Sequence, residues 1–217
     1  MLNATAINYK DSLYGELAKV GKSLSSERRL EIMDLLAQGP KTVEAISTES
    51  KMSIANTSRH LQVLREGNLV ARQKSGKFVY YTLATNKVVA LFYLLRDVGE
   101  EQLSAIRQIQ ADFNRSEQIE SITLPETLEK MKQGNVVLLD VRPESEYSHG
   151  HIDQAENIPI DDLQARVTQL SKDQEIIVYC RGSLCAYANM ATHELNEQGY
   201  HAYSLNESYY DWQQAIK

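Results

Sequence analysis

The spacing of apolar residues changes along this chain, and that change limits what the chain can fold into. Between residues 13 and 113 apolar side chains recur at three- and four-residue intervals, interrupted by two short strand-like runs. Further on they gather into the runs Val136-Val137-Leu138-Leu139-Asp140-Val141 and Glu175-Ile176-Ile177-Val178-Tyr179-Cys180. Helical stretches at 124–133, 159–170, 186–198 and 208–216 alternate with these runs. Short apolar runs ending in polar residues read as strands buried on both faces, as in a parallel sheet. The first pattern calls for packed helices with a hairpin and the second for an α/β layer structure, so two domains are expected. The polar stretch 116–121 reads as a linker between a first domain, 1–115, and a second, 122–217.

In the first domain, residues 13–37 read as helical with a break near Gly21, a restart at Ser25-Ser26-Glu27, and an end at Gly39-Pro40. A helix over 42–50 follows, with Thr42 as its cap. After a turn at Met52-Ser53, a third helix is predicted from about Ile54 to Glu66, capped by Ser53 and stopped by Gly67-Asn68. Runs 69–72 and 78–83 flank a Gly-containing turn at 73–77 and predict a hairpin. A long helix is expected over 86–113, kinked or broken at Gly99.

Helix, turn, helix and then a basic hairpin is an order suited to duplex DNA. A helix lying in the major groove needs short polar side chains aimed at base edges. Ser53, Asn56, Thr57, Ser58, Arg59, His60 and Gln62 crowd the first two turns of the third helix, opposite an expected buried face of Ile54, Leu61 and Leu64. Lys74 and Lys77 at the hairpin tip, with Arg72 at its base, suit backbone phosphates. The same pattern also fits a small helical bundle with a solvated face. Charge bears on the choice. Residues 1–116 hold 16 Lys and Arg against 12 Asp and Glu, whereas residues 117–217 hold 7 against 17, so only the first half suits a polyanion.

Residues 20–84 resemble the ArsR/SmtB family of bacterial repressors. The resemblance is carried by Ser58-Arg59-His60-Leu61, the helix exit Leu64-Arg65-Glu66-Gly67, and a wing ending in Tyr80-Tyr81. It implies a winged helix-turn-helix domain, double-stranded operator DNA as partner, and a homodimer paired through N- and C-terminal helices. Many relatives sense metals through cysteines in the helix before the recognition helix. Val43-Glu44-Ala45-Ile46-Ser47 contains none, so no metal site is expected.

The two cysteines, Cys180 and Cys185, lie five residues apart in Val178-Tyr179-Cys180-Arg181-Gly182-Ser183-Leu184-Cys185-Ala186. A strand delivers Cys180 to its end, a Gly-containing loop follows, and a helix starts beyond. Main-chain amides wrapped around a sulfur before a helix N-terminus favour the reactive thiolate. A buried packing cysteine is the alternative.

Residues 122–216 resemble the rhodanese family. The matching residues are Leu138-Leu139-Asp140-Val141-Arg142-Pro143-Glu144-Ser145-Glu146-Tyr147, Gly150-His151-Ile152, Ala155-Glu156-Asn157-Ile158-Pro159 and Tyr210-Asp211-Trp212. The overall expectation is an α+β winged helix-turn-helix domain followed by an α/β rhodanese-like domain with a mainly parallel sheet. The resemblance implies that Cys180 accepts sulfur and that Arg181, Gly182, Ser183, Leu184 and Cys185 form the active-site loop. Asp140 and Arg142 would help order that loop, and His149 and His151 serve as turn and packing residues. Ala186 stands where related phosphatases and arsenate reductases place an oxyanion-clamping Arg, which disfavours phosphoryl chemistry. Cys185 is a departure from many sulfurtransferases; it could attack a Cys180 persulfide, or merely fill space.

The reading that joins the halves is a DNA-binding repressor that senses reactive sulfur through its cysteines. Its small-molecule partner would be thiosulfate, a persulfide or a polysulfide, and no cofactor is expected. A sulfurtransferase with a Cys180 persulfide is the enzymatic alternative, and an arsenite or soft-metal sensor a third. The N-terminus lacks a signal pattern and no run suits a bilayer, so a cytoplasmic protein without membrane contact is expected.

Overall fold

The structure is a computed structural model that describes residues 3–217. The chain divides into two compact units, Met1–Val98 and Gly99–Lys217. This division falls earlier than the 116–121 linker suggested by polarity.

The first unit starts with α1 (Ala4–Leu24), α2 (Glu27–Ala37), β1 (Lys41–Thr42) and α3 (Val43–Glu49). It continues with α4 (Ile54–Glu66), the strands β2 (Val70–Ser75) and β3 (Phe78–Leu83), and α5 (Asn86–Gln102), whose last turn lies beyond the unit's boundary. The caps follow side-chain chemistry: the hydroxyls of Thr42 and Ser53 accept from the amides of Ala45 and Asn56, two of the donors a helix start leaves unpaired. Gly21 does not break α1. Nothing crowds it, a helical glycine costs only about 1 kcal/mol, and the break falls instead at Ser25-Ser26. Gly67 is needed for close approach, since a Cβ there would overlap the Ser23 side chain. Ile32, Met33, Leu35 and Leu36 from α2, Ile46 from α3, Leu61 and Leu64 from α4, and Phe92 and Tyr93 from α5 form the core. The hairpin strands pair antiparallel, Val70 opposite Leu83 through Ser75 opposite Phe78, and β1 joins the outer side of β3. The pairing carries β2 past residue 72, where the sequence suggested it would stop, and leaves Gly76-Lys77 as the turn, with Gly76 at φ 59°.

The expected single helix over 86–113 is two helices, α5 and α6 (Ser104–Ser116). The break is at Leu103, which is extended (φ −103°, ψ 97°), and not at Gly99. The guanidinium of Arg107 donates to the carbonyls of Glu100 and Glu101, so acceptors freed at the break are satisfied.

The second unit continues with β4 (Ser121–Ile122), α7 (Leu124–Gln133), β5 (Val136–Asp140), α8 (Glu144–His149) and β6 (Glu156–Asn157). Next come α9 (Leu163–Arg166), β7 (Glu175–Tyr179), α10 (Tyr187–Glu197), β8 (His201–Leu205) and α11 (Tyr209–Ala215). The stretch 159–170, expected as one helix, is a single α turn between two 3-10 turns. The sheet order is β4-β8-β7-β5-β6 and every pairing is parallel, so β7 lies in the middle. Side chains alternate along it: Ile176, Val178 and Cys180 enter one core with Leu163, Ala191 and Leu195, while Ile177 and Tyr179 enter the other with Ile152 and Trp212. Burial on both faces explains why the run read as continuously apolar. Capping boxes, Thr123 with Glu126 and Ser208 with Asp211, fix the starts of α7 and α11. Among the described residues no helix is long and apolar enough to cross a membrane.

Candidate functional site

In the first unit, α4 exposes Ser53, Asn56, Ser58, Arg59 and Gln62 on one side and buries Leu61 and Leu64 on the other. Two residues depart from expectation. Thr57 is buried and its hydroxyl donates to the Ser53 carbonyl, so it faces inward and braces the first turn. Ile54, expected inside, is half exposed at the first position of the helix, where no preceding turn covers it. Gln62 donates to the carboxylate of Glu66 one turn on. His60 is half-buried, and burial, reinforced by the charges of Arg29, Arg28 and Arg59, holds its pKa below the usual histidine value. On the hairpin, Arg72, Lys74 and Lys77 are exposed, and the Lys77 ammonium stands 5.3 Å from the Phe78 ring centre. Phe78 and Val79 are exposed apolar residues at this tip that polarity-based reading passed over.

In the second unit, β7 ends at Tyr179, and Cys180 follows at the C-terminal end of the central strand. Its side chain is only 1% exposed. The chain then turns through Gly182 (φ 101°), where an L side chain would be strained, and the Cys185 amide donates to the Gly182 carbonyl. This turn brings the two sulfurs to 2.7 Å of each other, both cysteines being free thiols. The pair is unequal. Burial pushes the Cys180 thiol well up, and its bond to Cys185 pushes the same way against the opposing charge and amide of Arg181. The hydrogen bond from Cys180 pulls Cys185 down despite burial, helped by the Tyr187 amide and by Arg181. Of the two, Cys185 therefore gives up its proton more readily, and Cys180 is the one that keeps its proton as donor. The main-chain amides of Arg181 and Tyr187 reach the sulfurs, and the thiol nearer solvent is Cys185.

Arg181 and Glu146 form a bidentate ion pair, with Nε to Oε2 at 3.0 Å and Nη2 to Oε1 at 2.6 Å, and Glu146 is 1% exposed. This pair ties the loop to α8. Glu146 stands in the Pro143-Glu144-Ser145-Glu146-Tyr147 run, where only its contact shows its importance. Asp140 and Arg142, expected to order the loop, are buried together at 2.6 Å. Arg142 also donates to the Gly150 carbonyl, and Asn157 bridges the carbonyls of Asp140 and Arg142. These bonds fix the segment after β5. Burial alone would lower the pKa of Arg142, but the bond and charge of Asp140 raise it overall. His151 stacks on Tyr147 at 3.8 Å, a packing position.

Helix α6 lies beside the loop, which nothing in the sequence signalled. The Ser183 hydroxyl bonds the Glu100 carboxylate, Gln110 donates to the Ser183 carbonyl (3.3 Å), and Asn189 of α10 donates to Asn114 (2.6 Å). A cavity of about 320 Å³ lies between α6 and the loop, lined by Ile109, Phe113, Leu184, Cys185, Asn189 and Asn206 among others.

Comparison with known proteins follows the same division. Residues 26–72 match the family described as bacterial regulatory protein, arsR family, and residues 123–215 match the rhodanese-like domain. The chain is 39% identical to the HTH-type transcriptional regulator Rv0324 of Mycobacterium tuberculosis over 95% of this chain and 91% of that protein. It is 35% identical to the transcriptional activator HlyU of Vibrio cholerae over 34% of this chain and 68% of that protein. A solved homodimeric winged helix-turn-helix DNA-binding domain, Mb0332 of Mycobacterium bovis, is 44% identical, covering 43% of this chain and 87% of that one, with a TM-score of 0.42.

Proposed function

This chain belongs to the arsR family of bacterial regulatory proteins and carries a C-terminal rhodanese-like domain; we propose that this transcriptional regulator is a repressor that senses reactive sulfur through Cys180 and Cys185. The carrying observation is two free thiols 2.7 Å apart at the end of the central strand. A thiol that receives a sulfane sulfur in such a pair is within reach of its neighbour, so a persulfide or a disulfide forms without refolding. The burial of Cys180 and the adjacent second thiol favour this single-event switch over a sulfurtransferase that must repeatedly meet a free acceptor. Two sulfurs alone also make an incomplete soft-metal site, and among the described residues no group of three His, Cys, Asp or Glu could hold a metal ion.

On the DNA side, Ser53, Asn56, Ser58, Arg59 and Gln62 read base edges, while Arg72, Lys74 and Lys77 contact phosphates. Tyr14 and Leu17 on α1 and Leu94 and Val98 on α5 are exposed apolar side chains, more than a monomeric surface usually gathers, and they support pairing as a homodimer. The reading is tested by binding of the full chain to its own promoter before and after treatment with a persulfide, in wild type, Cys180→Ser and Cys185→Ser. Wild-type affinity is expected to fall on treatment, and the variants to lose that response. A Cys180→Ser, Cys185→Ser double variant that still responded fully would refute it.

A further inference from the structure

The rhodanese resemblance makes Cys180 the sulfur acceptor, yet the cavity opens onto the other thiol. Cys185 lines it and is partly exposed, while Cys180 is sealed beneath. The size and lining of the cavity also bear on the donor. Its 320 Å³ is within the range of small-molecule sites, and a compact inorganic anion such as thiosulfate would leave most of it empty. Ile109, Phe113 and Leu184 supply apolar wall, Asn206 supplies an amide, and among the described residues no Lys or Arg lines it. The cation next to the thiols, Arg181, is paired with Glu146, and the Glu100 carboxylate is bonded to Ser183 at the rim. A dianion finds little to neutralise it there, whereas an organic body with peptide-like amides finds both walls and polar partners.

Resting on the sulfur-sensing reading above, we propose that Cys185 is the entry thiol, that the cavity beside it takes a low-molecular-weight organic hydropersulfide, and that Cys180 is the resolving thiol. The Cys185 thiolate attacks the terminal sulfur of R–S–SH, the R–S to SH bond breaks, and RS⁻ leaves, giving Cys185–S–SH. The Cys180 thiol then attacks the Cys185 Sγ, whose bond to the terminal sulfur breaks. A Cys180–Cys185 disulfide forms and H₂S departs with the thiol proton of Cys180. The two cysteines are oxidised and the sulfane sulfur is reduced to sulfide, so no further oxidant is needed. The inequality of the pair fits this order, since the thiol that deprotonates more readily is the one that lines the cavity.

The test uses the full reduced chain with glutathione hydropersulfide or thiosulfate as donor, thiol blocking, and mass spectrometry of the intact protein and its peptides. Cys180→Ser is expected to stop at one added sulfur on Cys185, and Cys185→Ser to load at least about tenfold more slowly than wild type. Peptides from wild type treated with less than one equivalent should carry the first sulfur on Cys185, a readout independent of how the variants fold. Ile109→Trp, which fills the cavity from an exposed position, should lower the ratio of glutathione hydropersulfide to thiosulfate loading rates. First loading on Cys180, or thiosulfate loading as fast as the organic donor, would overturn the proposal. Promoter affinity, measured on the same samples, reads the sensor hypothesis separately: Cys185-first loading with unchanged DNA binding would sink the sensor and leave the entry-thiol assignment standing.

Discussion

Cys180 and Cys185 carry the same functional group and differ only in where the backbone leaves them. One ends the middle strand of a sheet, the other closes a loop, and burial plus one hydrogen bond divides a proton between them unevenly. Because Cys180 is the donor that holds Cys185 low, Cys180→Ala should move the pH profile of Cys185 alkylation to higher pH. The sign follows from the lost hydrogen bond: the thiolate loses its stabilising donor, its pKa rises, and the rate at neutral pH falls. Iodoacetamide kinetics across pH 6–10 check it. Glu146→Gln leaves the Arg181 guanidinium facing a neutral amide in a nearly dry site, and should cost about 3 kcal/mol in chemical denaturation. The two cysteines and their loop were legible in the sequence because strand end, glycine and helix start are local signals. The partners that hold the loop were not: Glu146 lies 35 residues away and Glu100 83 residues away from their loop contacts, and only folding brings them together.

At the scale of elements, both ends of α4 are legible in the sequence, since Ser53 and Gly67-Asn68 bracket it with chemistry any helix end requires. Its facing was read less well at its first turn, where periodicity assigned Ile54 inward and Thr57 outward and the structure reverses both. A helix start has few neighbours to enforce a face, and Thr57 satisfies its hydroxyl on the backbone, so it can be buried without penalty. Two substitutions on α4 should separate folding from recognition. Leu64→Ala, at a fully buried position, should lose about 3 kcal/mol of stability. Arg59→Ala, on the exposed side, should leave the melting temperature unchanged and weaken promoter binding by about 1–3 kcal/mol. On the wing, Lys74→Gln and Lys77→Gln should each lower the slope of log affinity against log salt by about 1, as measured by fluorescence anisotropy at several salt concentrations. The break at Leu103 was invisible because the helical period continues across it, and what accommodates it is the reach of Arg107 to two freed carbonyls.

For the whole molecule, two opposite charge balances and two periodicities run along the chain, and the structure makes two compact units, though it divides them inside α5 and not at the polar stretch near 116–121. Polarity marks solvent exposure, and α6 is exposed along most of its length, so its end looked like a linker although the helix belongs to the second unit. The apolar face of α1 has a consequence at this scale: Leu17→Glu should convert a dimer to a monomer in light-scattering measurements and weaken promoter binding with it, while far-ultraviolet circular dichroism stays the same. The place of β7 in its sheet has another. A strand clasped by parallel neighbours on both sides has no room to travel when chemistry occurs at its tip. Any message written on the sulfurs must depart sideways, through the loop that carries Cys185 and the polar side chains that grip residues 181–185, while the foundation under them stays still.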